Sequence, residues 1–170
     1  MTARRGAARA AFVQPAGDPV LPKEQQGLQI VQHLGQTYRA MQAAFSSRVG
    51  HAMPRWRILL TLHECGQCSQ KMLAERCRLD PASLTRLLQA MQQLGWVTRS
   101  ADPNDNRVTN ASLTAVGQAV VNEAMPRRAE FFEESLQGLS AEEVQALTHV
   151  LDMLERNFAQ AALPRAPSGG

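Results

Sequence analysis

Arg107 closes a polar run, Asp102-Pro103-Asn104-Asp105-Asn106, set between two short extended segments, Trp96–Arg99 and Val108–Leu113. Pro103 holds its φ at about −65°, and Asn and Asp tolerate turn geometry, so the stretch predicts a β-hairpin with an exposed tip. A guanidinium carried on such a tip is suited to probing a DNA minor groove, where the potential is negative. A second set of residues lies upstream. Asp80 is placed to cap a helix and Pro81 to open it, where its missing N–H costs nothing. Leu84, Leu87, Leu88, Met91 and Leu94 then recur at helical spacing as one apolar stripe. Ala82, Arg86, Gln89 and Gln93 fall on the opposite face, with Ser83 and Thr85 on its flanks. From Pro81 to Gln93 that face has no acidic side chain. Its methyls can touch thymine methyls, its hydroxyls can bond to bases or phosphates, and Arg86 can grip a guanine edge. The bland alternative is a solvated helix beside an ordinary hairpin, but such a face more often carries Glu or Lys.

These residues need a scaffold, and the flanking sequence supplies one. The stretch CSQKMLAERCRLDPASLTRLLQAMQQLGWV reads as two helices with a tight turn at Leu79-Asp80, followed by the hairpin. The fold class is therefore mainly α with a small β-hairpin wing, a winged helix-turn-helix. Toward the N-terminus Val31, Leu34, Tyr38, Met41 and Phe45 repeat at 3-4-3-4 spacing, and Val144, Leu147, Leu151, Leu154 and Phe158 do the same near the other end. Ser140 and Glu143 form a capping box ahead of the second seam, with Leu139 placed as its staple. The two seams could pack on each other, but the preferred reading is that these N- and C-terminal helices dimerise with a second copy. A symmetric homodimer would set two reading helices one turn of DNA apart, over a pseudo-palindromic operator. Thr114 caps the intervening helix, whose apolar pattern is Val116, Val120 and Ala124 toward Phe131 and Phe132. Pro126 within it predicts a kink near Asn122 to Met125.

DPASLTR, LGWVTR, DPNDNR and SLTAVG, in that order and spacing, resemble the MarR family of bacterial transcription regulators. The recognition-helix pattern falls on Ser83-Leu84-Thr85-Arg86 and the strand pattern on Gly95-Trp96-Val97-Thr98-Arg99. The wing pattern falls on Asp102 to Arg107, and the following helix start on Leu113-Thr114-Ala115-Val116-Gly117. The likeness spans roughly residues 24 to 160. Asn106 departs from it, since the family often has a second basic residue there. The resemblance implies DNA contacts by Pro81, Ala82, Ser83, Thr85, Arg86, Gln89, Arg99, Asp105 and Arg107. It also implies dimerisation through the terminal seams, including Val31, Leu34, Met41, Leu147, Leu151 and Leu154. Regulators of this family commonly respond to small phenolic or aromatic carboxylate compounds. Such an effector needs a cation or imidazole and aromatic walls. The junction before the second helix offers His51, Met53, Arg55, Trp56 and Arg57, and the first helix adds Tyr38 and Arg39. The expected effector contacts are His51, Trp56, Arg39 and Tyr38, although the neighbours of Trp56 favour core over ligand wall, and His51 is alternatively a pH-responsive group.

The implied organisation is a flexible arm over 1–22, a dimerisation helix over 23–50 and a DNA-binding lobe over 51–113. Linker and dimerisation helices follow over 114–162, then a disordered tail over 163–170. Both ends are too poor in apolar area to offset ordering entropy. No apolar run approaches the roughly 18 residues of a membrane span, and the N-terminus lacks a secretory core, so the expected compartment is the cytoplasm. Residues 1–69 carry eight Lys/Arg against three Asp/Glu, residues 70–110 six against four, and residues 111–170 four against eight. A basic front and acidic rear suit a protein that turns one side to phosphates.

Cys65, Cys68 and Cys77 accompany His63, enough ligands for a zinc site. Cys77, however, falls on an apolar helix face with Met72 and Leu73, where small thiols usually pack as core. The reading is therefore packing, with no metal or cofactor; oxidant or metal sensing through the cysteines is the alternative. The four histidines are scattered, no Gly-rich phosphate loop exists, and no nucleophile stands at useful spacing from a base, which argues against an enzyme. A winged helix used to bind protein would carry apolar anchors on the face of Pro81 to Gln93, and none is there.

Overall fold

Local signals close each helix of the reading module. The Ser69 hydroxyl accepts the Met72 amide at 3.2 Å and starts α3 (Gln70–Cys77), which ends as Arg78 turns left-handed at φ 50°. The Asp80 carboxylate accepts the Ser83 amide at 2.9 Å and starts α4 (Pro81–Gln93). In the computed structural model, which describes residues 22–163, these are preceded by α1 (Lys23–Val49), α2 (Met53–Cys65) and β1 (Gln67–Ser69). After α4 come β2 (Val97–Ala101), β3 (Thr109–Leu113), α5 (Ala115–Ser135) and α6 (Ala141–Ala161). Except for Pro22 and Leu163, the expected arm and tail lie outside the described residues.

The wing is larger than the hairpin read from sequence. Its three antiparallel strands run in the order β1-β3-β2, with Cys68 opposite Ala111 on one side of β3 and Arg99 opposite Ala111 on the other. The chain divides into two units at Met41/Gln42. In the second unit Phe45 and Val49 join Ile58, Leu59 and Leu62 of α2, Leu73 of α3, Leu84, Leu88 and Met91 of α4, and Val121 and Ala124 of α5 as core. Phe45 meets Phe131 edge-on at 5.4 Å between ring centroids. Arg48 grips Glu134 through both carboxylate oxygens at 2.7 and 2.8 Å, an exposed pair of small energetic weight.

Some details of the sequence pattern are corrected. Leu94 is 49% exposed, because α4 ends at Gln93 and the chain turns at Gly95 instead of extending the stripe. Met72 is exposed while Leu73 and Cys77 are buried. In α5 the buried positions are Gly117, Val121, Ala124 and Phe131, one residue off the expected Val116 and Val120. Pro126 lies inside α5, which spans Ala115–Ser135. The capping box of α6 forms as expected, with the Ser140 hydroxyl accepting the Glu143 amide and the Glu143 carboxylate accepting the Ser140 amide, but Leu139 stays exposed. α6 buries none of its residues; Leu147, Val150, Leu151, Met153 and Phe158 are exposed and Val144 and Leu154 half-buried. Val31 is likewise exposed, and Leu34 and Met41 are half-buried. No described helix is long and apolar enough to cross a membrane.

Gly117 decides how α5 meets the wing. The Thr114 amide donates to the Trp96 carbonyl at 2.9 Å, its hydroxyl donates to the Gly95 carbonyl at 2.5 Å and accepts the Gly117 amide at 3.0 Å. A Cβ at Gly117 would overlap the Trp96 carbonyl, a backbone atom that cannot swing aside. Gly117→Ala should therefore cost about 1–3 kcal/mol, as overpacking does. Denaturant unfolding would show a lower midpoint at unchanged slope; an unaltered midpoint would mean α5 does not depend on this close approach.

Candidate nucleic-acid interface

The two reading elements emerge on one module, each held by its own hydrogen bonds. On α4, Pro81, Ala82, Arg86 and Gln89 are exposed and Ser83 and Thr85 half-buried. The Thr85 hydroxyl donates to the Pro81 carbonyl at 2.8 Å, so it turns its lone pairs outward and acts as an acceptor. Arg86 has only long contacts, 3.4 Å to the Ala82 carbonyl and 3.5 Å to the Ser83 hydroxyl. Its guanidinium can leave them for a base edge at little cost. Arg99, half-buried on β2, donates through Nε to Gln92 Oε1 at 2.7 Å and ties the wing to the last turn of α4.

The tip is built around Asp102. One carboxylate oxygen accepts the amides of Asn104 at 2.9 Å and Asp105 at 3.3 Å; the other accepts the Asn110 side-chain amide at 2.8 Å. Backbone bonds from Asp102 to the Val108 carbonyl and from Val108 to the Asp105 carbonyl close the loop. Asp105 accepts the Arg107 amide at 3.0 Å, and the Arg107 side chain stays 95% exposed, 3.9 Å from the Asp105 carboxylate. Asn110, buried beneath the tip, and Gln92 were not singled out by sequence reasoning. Each acts across a turn or between elements, where spacing along the chain gives no signal.

The Asn104 amide, then the Asn110 side chain, hold the Asp102 carboxyl below the usual carboxylate range. A depressed pKa contributes order above the ordinary carboxylate pKa, and that order is lost as pH falls through the lower folded value. Amide-exchange protection at Asn104 and Asp105 should therefore fall in that acid window. Asp102→Asn, which cannot ionise, should remove the pH dependence; equal protection in both proteins at every pH would take Asp102 out of the wing's construction.

The expected effector residues fall in different places. His51 lies parallel to Trp56, with centroids 6.2 Å apart, and meets Trp96 edge-on at 5.5 Å. The Arg55 guanidinium lies 5.7 Å from the Trp96 ring centre. Trp56 is 2% exposed, a core residue and not an open wall. Trp56 Nε1 and Arg55 Nε are buried without a protein hydrogen-bond partner. Burial, then Arg55 and Arg127, push the His51 pKa down against the opposing pull of Glu123, which favours the neutral imidazole. Tyr38 and Arg39 are exposed on the first unit. Trp96, at the foot of the hairpin, completes the aromatic cluster. His63 is engaged by Gln118, 2.8 Å from its Nδ1. Among the described residues no three His, Cys, Asp or Glu side chains form a metal cluster.

Comparison with known proteins matches the same module. The MarR family model matches residues 52–109. An uncharacterised HTH-type transcriptional regulator of Bacillus subtilis, YdgJ, is 31% identical over 114 residues, 67% of this chain and 70% of that one. The homoprotocatechuate degradative operon repressor of Escherichia coli is 36% identical over 98 residues, covering 58% of this chain and 66% of the relative. Among solved structures, a mutant MarR from E. coli complexed with operator DNA superposes with a TM-score of 0.71 at 19% identity, over 79% of this chain and 99% of that one. A three-stranded wing behind a capped helix-turn-helix, matched in sequence and in fold, identifies the chain as a member of the MarR family of winged helix-turn-helix transcriptional regulators.

Proposed function

We propose that this regulator is a cytoplasmic repressor that binds a pseudo-palindromic operator in double-stranded DNA as a homodimer, and that a small aromatic carboxylate releases it. The reading rests above all on the exposed, acid-free face of α4 standing beside the Arg107 wing. In this reading Pro81, Ala82, Ser83, Thr85, Arg86 and Gln89 enter the major groove. Arg107 enters the minor groove, while Arg99 and Asp105 fix the wing's aim. The lobe over 51–113 does the reading and the terminal helices join two copies.

The homodimer is supported by the unburied apolar side chains of α6 and their counterparts on α1. Val31, Leu34, Met41, Leu147, Leu151 and Leu154 are the proposed contacts. Repression tied to aromatic catabolism is supported by the homoprotocatechuate degradative operon repressor among the relatives. For the effector, His51, Trp56 and Arg55 offer an imidazole, an indole N–H and a guanidinium in one cluster of the second unit; Tyr38 and Arg39 are proposed as contacts from the sequence alone. The test is binding to random-sequence duplex across a salt series. Each phosphate neutralised contributes about 0.9 to the slope of log K against log salt, so affinity should fall steeply. An affinity indifferent to salt would contradict DNA binding. Addition of an aromatic carboxylate to the complex should restore free DNA.

A further inference from the structure

A cleft between α4 and the wing is left over once the outward face of α4 and the Arg107 tip have been assigned. β2 is an edge strand of the sheet and packs on α4. Where they meet, Gln89, Gln92 and Gln93 of α4 and Arg99 of β2 line an open cleft of about 510 Å³. No Asp or Glu occurs from Pro81 to Ala101, so both elements bring hydrogen-bond donors and no carboxylate. The bond from Arg99 Nε to Gln92 Oε1, 2.7 Å long, orients both partners. It engages the acceptor of the amide, which leaves Gln92 Nε2 to donate, and it holds the guanidinium while leaving both Nη groups open. Among the described residues, these side chains form no other hydrogen bond or ion pair. A tether between α4 and β2 needs only the one bond.

We propose, resting on the DNA reading above, that this cleft seats one backbone phosphate, with Arg99 as the cation that pairs with it and Gln92 as the residue that positions Arg99. A helix in the major groove and an arginine in the adjacent minor groove straddle one sugar–phosphate backbone, which must cross the protein between them. The α4–β2 cleft lies on that strip, and Gln89 belongs both to it and to the reading face of α4. A guanidinium fork suits a phosphate, because its N–H groups can bond neighbouring oxygens side by side. The neutral amide at position 92 suits the same purpose. A glutamate there would bond Arg99 more strongly, but it would cancel the charge that the phosphate needs and repel the phosphate as well. Gln92 holds the guanidinium and leaves its charge intact. Phosphates carry no base identity, so the contact sets the register of the wing against α4 and not the sequence read.

The experiment sets full-length Gln92→Glu and Gln93→Glu beside the unaltered protein, in denaturant unfolding and in titrations of random-sequence duplex across a salt series. Gln92→Glu should keep or raise the unfolding midpoint, because its bond to Arg99 becomes charge-assisted. It should nevertheless bind roughly tenfold more weakly at about 0.1 M salt, with a slope of log K against log salt shallower by about 0.9, one phosphate fewer being neutralised. Gln93→Glu, which is bonded to nothing else in the cleft, should show the same loss without touching the tether. On an operator selected from a random pool, base preference should stay unchanged in both variants. Replacing its phosphates one at a time by neutral methylphosphonate should abolish their penalty at one position in each half-site. A steep salt slope in the unaltered protein, with unchanged affinity in both variants, would overturn the phosphate seat and leave DNA reading standing. Salt-indifferent binding by the unaltered protein would overturn both. A shifted base preference, or a penalty equal at every methylphosphonate position, would overturn the seat. A lowered midpoint in Gln92→Glu would overturn the positioning of Arg99 by Gln92.

Discussion

Arg86→Ala is expected to weaken the preferred operator by about 1–3 kcal/mol and to relax sequence choice at one position in each half-site. Arg86 is exposed near the start of α4 and held by contacts of only 3.4 and 3.5 Å, so almost nothing in the free protein competes with a guanine edge. Folding should be little affected, because the side chain is exposed and its contacts are long. Arg107→Ala should behave differently. A guanidinium in the minor groove reads width and potential more than base identity, so operator and random duplex should weaken together. Titrations of both variants on operator and random DNA at one salt concentration separate the two roles. A uniform loss in Arg86→Ala would make Arg86 a phosphate anchor, and an unchanged dissociation constant in Arg107→Ala would remove the wing from the mechanism.

The second large effect concerns assembly. Leu151 is exposed and Leu154 half-buried on a helix that buries nothing in the single chain. If a second copy covers them, each replacement by Ala should cost roughly 2–5 kcal/mol of dimer stability. The two lie three residues apart on one face of α6, so the double variant need not equal the sum. Thermal stability of the unaltered protein should rise with its concentration, since folding is tied to association. Sedimentation as a monomer at micromolar concentration would defeat the dimer and the palindromic operator with it. A dimer unchanged by both replacements would move the interface to α1.

What the sequence made legible was local chemistry. Asp80, Thr114 and Ser140 cap their helices through bonds to residues three positions on, so spacing alone revealed them. The wing turn was legible for the same reason, from Pro103 and its Asn and Asp neighbours. β1 was not, because three residues carry no periodicity and their partners in β3 lie more than forty positions away. The register of α5 slipped by one because Val120 and Val121 are adjacent, and either fits a helical stripe until the Trp96 carbonyl demands Gly117 on the inner face. Asn110 beneath the tip and Trp96 beside His51 act through tertiary contacts, which no spacing records. Trp56 could be read as wall or core from its neighbours, and burial against Phe45 and His51 decides for core.

The central claim is that two copies of α4 and the wing read one operator together. Selection of bound duplexes from a random-sequence pool by the purified full-length protein tests it most directly. An inverted repeat should be enriched, its half-sites centred about 10–10.5 base pairs apart, the spacing of two recognition helices on one face of DNA. Enrichment of a single unrepeated half-site, or of no sequence at all, would contradict it.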